Sequence, residues 1–163
     1  MVKVGLLSDT HGWLDPAILD FFSDCNEIWH AGDVGSLRII DHLEQMAVVR
    51  AVSGNIDDYQ LRLRIPEYQL FTVEGLTVLI LHIGGYPGHY SARAKELILT
   101  QKPGLFVSGH SHILKVMNDA GNNLLYMNPG AAGNQGFHQV RTALRFTIHE
   151  QKPSSLELLE TRR

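Results

Sequence analysis

A chain of 163 residues with 14 Lys and Arg against 17 Asp and Glu carries a formal charge of −3, so it has no basic excess with which to neutralise a nucleic-acid backbone. Its single cysteine, Cys25, excludes an intrachain disulfide and a Cys-rich zinc site, and no run approaches the ~20 apolar residues of a membrane span. The content of 44% hydrophobic and 19% charged residues fits one compact domain over residues 1–163, long enough to bury roughly 68–70% of its unfolded surface.

Val2–Leu7 is apolar and branched, reads as a buried strand, and stops at Ser8-Asp9. The run is too short for a signal peptide, so a cytoplasmic location is expected. Asp15-Pro16 starts a helix over Pro16–Phe22, with Ile18, Leu19, Phe21 and Phe22 at helical spacing. Glu27–Ala31 is a second strand, stopping at Gly32-Asp33, and Leu37, Ile40, Leu43 and Met46 stripe a helix over Ser36–Met46. Val48–Val52 is a third strand, ending at Ser53-Gly54-Asn55. Thr77–Leu81 stops at His82, and Leu105–Val107 stops at Ser108-Gly109-His110. Between them Ser91–Thr100 forms a helix, closed by Lys102-Pro103-Gly104. This alternation indicates an α/β fold with parallel strands. Past residue 110 two hairpins appear instead, Ile113–Asn118 with Asn123–Met127 and Ala143–Ile148 with Ser155–Leu159, the latter broken at Lys152-Pro153. These strands require a second sheet.

Five strand-like runs thus end in a polar group, usually beside a glycine. Ligands of open α/β sheets bind just past the carboxyl ends of strands, and glycine there lets backbone approach closely or take φ > 0. The residues at those ends are Asp9, His11, Asp33, Asn55, His82, His110 and His112. Two carboxylates and an amide suit harder ions and four imidazoles suit borderline ones, which favours manganese, iron, nickel or zinc over calcium. Taken singly the motifs are weak. Asp9-Thr10-His11 reads as a cap or turn, and Gly32-Asp33 and Gly54-Asn55 read as turns. His110-Ser111-His112 is stronger, because i, i+2 spacing on an extended chain lets both rings face one side. The conjunction of five such ends makes them one candidate site.

In their order, Asp9-x-His11, Gly32-Asp33, Gly54-Asn55, His82 and Gly109-His110-x-His112, the motifs resemble the calcineurin-like metallophosphoesterase superfamily. Within it the chain is similar to the small single-domain bacterial and archaeal phosphodiesterases, and Asn128-Pro129-Gly130 resembles a further segment of that group. The resemblance implies two mixed β-sheets packed face to face with flanking helices, a four-layer α-β-β-α sandwich. It implies two divalent ions per chain, one on Asp9, His11 and His112, the other on Asn55, His82 and His110, with Asp33 bridging. Manganese is the expected metal, with iron, nickel or zinc as alternatives. The implied reaction is hydrolysis of small-molecule phosphate esters, chiefly diesters, by a hydroxide activated between the metals.

Two departures from the wider family stand out. Many members carry histidine after the asparagine as a phosphate contact and general acid, where this chain has Ile56; such an acid is typically worth 10²–10⁴-fold, an order-of-magnitude figure. The lone metal histidine is also not followed by Gly-His, but by a loop, Ile83 to Gly88, that ends at His89. His89 is a candidate substrate contact beside Asn55, against the plainer reading of a solvent-facing histidine before a helix. Among the other histidines, His30 reads as a packed strand residue with a supporting hydrogen bond as the alternative. His42 and His149 read as surface groups, and His138 lies in a loop placed to line the cleft. Arg62, Arg64 and Lys95 read as solvated surface. The competing function is a non-catalytic metal-binding interaction module of the same fold, as in a eukaryotic retromer subunit. The complete ligand set favours the enzyme. No dedicated nucleic-acid or membrane partner is expected, and a homo-oligomer stays open.

Overall fold

Parallel strands joined by helices, with an antiparallel ribbon beside them, build the first sheet of the computed structural model, which describes residues 1–163. β1 (Val2–Leu7), β2 (Glu27–His30) and β3 (Val48–Ala51) run parallel, with α1 (Pro16–Phe21) and α2 (Leu37–Glu44) as crossovers. Asp15 accepts from the Ala17 amide and Ser36 from the Arg38 amide, each satisfying an N–H that the first helical turn leaves without a partner. Next come α3 (Tyr59–Arg64), β4 (Tyr68–Val73), β5 (Leu76–Leu81), α4 (Ala92–Gln101) and β6 (Leu105–Val107). The chain closes with β7 (Leu114–Asp119), β8 (Leu124–Pro129), β9 (Val140–His149) and β10 (Lys152–Arg162). The sheet orders are β10-β9-β1-β2-β3 and β4-β5-β6-β8-β7. Both sheets are mixed, since β9 is antiparallel to β1 and β10, and β4 and β7 are antiparallel to β5 and β8.

Period-two alternation along each strand decides the layering. Val4, Leu6, Trp29 and Ala31 face the second sheet and pack with Val78, Ile80, Leu105 and Val107. Leu7, Ile28 and Ala51 face the other way, under Ile18 and Phe22 at α1 and Ile39, Ile40 and Leu43 of α2. On the far side Leu79, Leu81 and Phe106 lie beneath Ala94, Leu97 and Ile98 of α4. The result is the α-β-β-α sandwich that the sequence led us to expect. Trp29 anchors the inter-sheet layer: it is fully buried, with the rings of Phe71 and Phe146 edge-on at 5.2 and 5.7 Å. Truncating such a side chain to alanine typically removes about 3–5 kcal/mol.

Three local features depart from the sequence reading. α3 and β4 were not expected, because residues 57–73 show no clean apolar period; α3 buries only Leu61 and rests on Asp58, whose carboxylate accepts from the Leu61 amide. The break expected at Lys152-Pro153 is absent, since both residues lie inside β10. The reversal falls instead on Glu150-Gln151, both in the left-handed region at φ 47° and 65°, as a two-residue hairpin turn requires. Pro153 is tolerated because β10 is an edge strand, where a missing N–H interrupts no second ladder. No helix is long and apolar enough to cross a membrane.

Candidate metal centre

The carboxyl ends of β1, β2, β3, β5 and β6 converge, and the seven candidate residues come together there. Asp9, His11 and His112 form one group of donor atoms, and Asp33, His82 and His110 form a second, each within 4.8 Å. Asn55 joins the second, its Oδ1 lying 3.1 Å from His82 Nε2. Asp9 Oδ1 is 3.2 Å from His112 Nε2. Asp33 touches both groups: Oδ2 is 3.5 Å from His11 Nε2, and Oδ1 is 3.2 Å from His82 Nε2.

Glycines supply part of the unusual backbone, as the sequence led us to expect, with Gly12, Gly32, Gly35 and Gly85 at φ of 80°, 102°, 82° and 74°. The donors Asp9, His11, Asp33, His110 and His112 join them at 55°, 47°, 53°, 68° and 59°. A non-glycine residue held there costs roughly 1–3 kcal/mol, so the surroundings must over-determine it. They do so by backbone hydrogen bonds between loops. Asp9 N–H donates to Gly32 O at 2.9 Å, His11 N–H to Asp33 O at 3.0 Å, and Gly12 N–H to Val34 O at 2.8 Å. The His110 amide donates to Asp9 Oδ2 at 3.1 Å, tying the last histidine motif to the first. Glycine is needed for another reason at Gly54, where a Cβ would sit 2.0 Å from Asp33 Oδ1.

A buried polar frame supports these loops, and most of it escaped sequence reasoning. Asp57, 4% exposed, accepts three amides, from Val34 at 3.1 Å, Gly35 at 2.8 Å and Gly54 at 2.7 Å, and so locks the Asp33 loop to the Asn55 loop. Arg62 is exposed, as its sequence context suggested, yet it also braces the loop. Its Nε donates to Asp57 O and its Nη2 to Gly54 O, at 2.7 and 3.0 Å. Arg64 does lie at the surface, paired with Asp41 and Glu44. Asn128 donates to Gly109 O and to Ser111 Oγ at 3.0 and 3.1 Å, and its own oxygen accepts from the Gly130 amide. The Asn128-Pro129-Gly130 segment thereby braces the His110 loop.

His30 is both a packed strand residue and a brace. It is completely buried, its Nδ1 accepts from the Gly32 amide at 3.2 Å, and its Nε2 lies 2.9 Å from Thr10 Oγ1. Because Nδ1 accepts, Nε2 carries the proton and donates to Thr10, whose hydroxyl donates on to Val34 O. Burial pushes the imidazole pKa down to about 4, outweighing the carboxylates of Asp57, Asp9 and Asp33. His82 behaves oppositely. Burial disfavours its charged form, but the Asp33 hydrogen bond and the charges of Asp9 and Asp33 raise its pKa. Its Nδ1–H donates to Ala31 O at 2.7 Å, which turns the Nε2 lone pair into the site.

The remaining histidines sort by contact. His89 lies outside both donor groups, exposed, with its ring 4.8 Å from Tyr86. His42 and His149 are exposed as expected. His138 donates from Nε2 to Gly133 O at 2.8 Å and meets the His112 ring edge-on at 5.3 Å.

Whether divalent cations suit this set is tested by its unsatisfied atoms. Asp9 Oδ1 and His11 Nε2 are buried without a hydrogen-bond partner. A stranded buried polar atom typically costs ~1–3 kcal/mol, and both point into the same group of donors. Carboxylate oxygen with imidazole nitrogen is a ligand chemistry for borderline divalent ions. The residues fit.

Comparison with known proteins shows the family. The family model of the calcineurin-like phosphoesterase superfamily domain matches residues 2–151. The chain belongs to that superfamily. It is 31% identical over 135 residues to a probable metallophosphoesterase of Methanothermobacter thermautotrophicus, covering 78% of this chain and 76% of the relative. Identity to a probable metallophosphoesterase of Methanocaldococcus jannaschii is also 31% over 135 residues, 78% of this chain and 67% of that one. Among solved structures, Vps29 of Entamoeba histolytica in complex with Zn²⁺ superposes with a TM-score of 0.75 at 16% identity over 98% of both chains. A Thermotoga maritima protein gives 0.72 at 22% identity over 98% of this chain and 100% of that one. A predicted phosphoesterase of Streptococcus pneumoniae gives 0.69 at 18% over 98% of both. At these identities the structural likeness speaks for the fold.

Proposed function

We propose that the chain is a dinuclear metal-dependent phosphodiesterase that hydrolyses small phosphate esters. The observation that carries this reading is Asp33, whose two oxygens face one imidazole of each donor group. A carboxylate shared in this way suits two cations at once, since its full charge offsets their mutual repulsion. Asp9, His11 and His112 would hold one cation, and Asn55, His82 and His110 the other. Bound divalent ions would supply Lewis-acid stabilisation of the phosphoryl charge and lower the pKa of water for in-line attack. Manganese is our expectation for the metal, with iron, nickel or zinc as alternatives.

The chain's own residues set the rest. Asn55 brings a neutral oxygen, which keeps the negative charge of the donor set low. The His30–Thr10 pair and Asp57 hold the donor loops rigid, so little reorganisation accompanies binding. Ile56, 46% exposed where relatives of the wider family carry an acid, has no proton to give a leaving group. The substrates that fit are therefore esters with good leaving groups. We infer that the whole chain acts as one domain, in the cytoplasm, without a nucleic-acid or membrane partner. The Vps29 likeness keeps a non-catalytic module of this fold in view, but an interaction surface has no physical need for unpaired buried donors such as Asp9 Oδ1.

Elemental analysis and turnover of bis-p-nitrophenyl phosphate on one preparation test the reading. Two divalent ions per chain and hydrolysis abolished by chelator are expected. Full metal loading with no phosphoester hydrolysed would leave the interaction module as the better reading.

A further inference from the structure

Two clefts open beside the candidate metal centre, and their chemistry differs. The first, of about 350 Å³, is bounded by Asn55 and His82 on the metal side and by Ser53, Arg62, Glu67 and Arg93 on the other. Leu81 and Ile83 also line it, but its distinguishing feature is the three charged side chains. The second, of about 500 Å³, is bounded by His110 and His112 on the metal side and by Ile113, Phe137 and His138 beyond. It holds no Lys, Arg, Asp or Glu. Phe137 is completely exposed and Ile113 is 62% exposed. Ile113 directly follows a candidate ligand, and Phe137 sits in the loop between β8 and β9.

We propose that the second cleft is the subsite for an apolar, aryl or alkyl, arm of the phosphate ester. The inference rests on the phosphodiesterase reading above and specifies its substrate class. A phosphodiester has two arms, and the donor groups are shared between two clefts, Asn55 and His82 with one, His110 and His112 with the other. An ester whose phosphoryl group lies among these donors directs one arm into each cleft. A charged or polyhydroxylated arm entering the second cleft would lose its hydration against Ile113 and Phe137 with no charged side chain among the lining residues, Arg163 being bonded to Gly136 O and His138 O. A ring or alkyl chain would instead remove apolar surface of both partners from water. The volume lies within the range of small-molecule sites. Two large apolar side chains are far too little for a protein interface, which needs roughly 800 Å² per partner. The first cleft, with Arg62, Arg93 and Glu67, takes the polar arm.

The test uses binding as well as turnover. Methylphosphonate and phenylphosphonate are titrated calorimetrically into Mn²⁺-loaded protein, the two probes differing in the single arm they carry. Phenylphosphonate is expected to bind ~10-fold tighter or more, as burial of a ring in an apolar site implies. In Phe137→Ser that preference should fall to about twofold, with the affinity for methylphosphonate and the metal content unchanged. The Phe137 side chain is fully exposed, so the variant is expected to fold, and its thermal unfolding checks this. Arg93→Ala, in the other cleft, should keep the full preference. Equal binding of the two phosphonates by the wild type, or a preference untouched by Phe137→Ser, overturns the subsite. So does a dimer that Phe137→Ser dissociates without altering the preference, since the ring would then belong to a contact between copies. Hydrolysis of bis-p-nitrophenyl phosphate on the same preparation separates the two levels of inference. Turnover without an aryl preference sinks the subsite alone, whereas an aryl preference without turnover of any phosphoester sinks the phosphodiesterase.

Discussion

His30→Gln should make stability less sensitive to acid, although it removes a buried hydrogen-bonded ring. The imidazole is neutral in the fold, with Gly32 N–H donating to Nδ1 and Nε2–H donating to Thr10. Its pKa is about 4, against 6.5 for an ordinary histidine. Between these values the unfolded chain binds a proton that the native chain does not, so native stability falls as pH drops from 6.5 toward 4. At about 1.4 kcal/mol per pH unit the full window amounts to ~3 kcal/mol. His82 works in the opposite sense, because its folded pKa is raised; its contribution is present at low pH and is lost as pH rises. The variant difference isolates His30 from this background. Near pH 7.5, His30→Gln should destabilise by about 1–3 kcal/mol through the broken Thr10–Gly32 brace. Near pH 4.5 that deficit should shrink by about 2 kcal/mol or reverse. Urea unfolding with chelator present, at both pH values, measures it. A deficit that stays constant or widens in acid would refute the neutral buried imidazole.

Asp33→Asn should lower metal content at both positions, whereas Asn55→Ala should lower mainly one. Elemental analysis decides, and two ions retained by Asp33→Asn would remove the bridging role. With Ile56 in place of an acid, rates should fall steeply from aryl to alkyl diesters. A flat dependence on leaving-group basicity, with chemistry shown to be rate-limiting, would mean that another group donates the proton. Asp57→Ala should destabilise the fold by about 2–4 kcal/mol, since it strands the Val34, Gly35 and Gly54 amides. Chemical denaturation checks this, and a loss below about 0.5 kcal/mol would show that water replaces the carboxylate.

The residues of the candidate site were legible in the sequence because their signals are local. Apolar branched runs mark β1, β2, β3, β5 and β6, and a ligand-type side chain follows each run. Helices α1, α2 and α4 were legible for the same reason, through Asp15-Pro16, Ser36 and Ser91 at their starts and apolar residues at helical spacing. α3 and β4 were not, because α3 has one buried side chain and β4 lies at a sheet edge where alternation is weak. Pro153 read as a break because sequence cannot tell an edge strand from a central one.

What the donors do with one another was decided only in three dimensions. That Asp9, His11, Asp33, His110 and His112 themselves adopt left-handed backbone has no sequence signature, because it is imposed from other loops. The His110 amide that grips Asp9 is 101 residues away along the chain, and Ala31, which orients His82, is 51 away. Arg62 looked like any surface arginine until the fold set Gly54 O and Asp57 O before its guanidinium. Phe137 became informative only when the β8–β9 loop brought it beside His112. Side-chain chemistry and periodicity are written residue by residue. The direction in which an oxygen or a ring faces depends on hydrogen bonds between distant segments, and those exist only once the two sheets have packed.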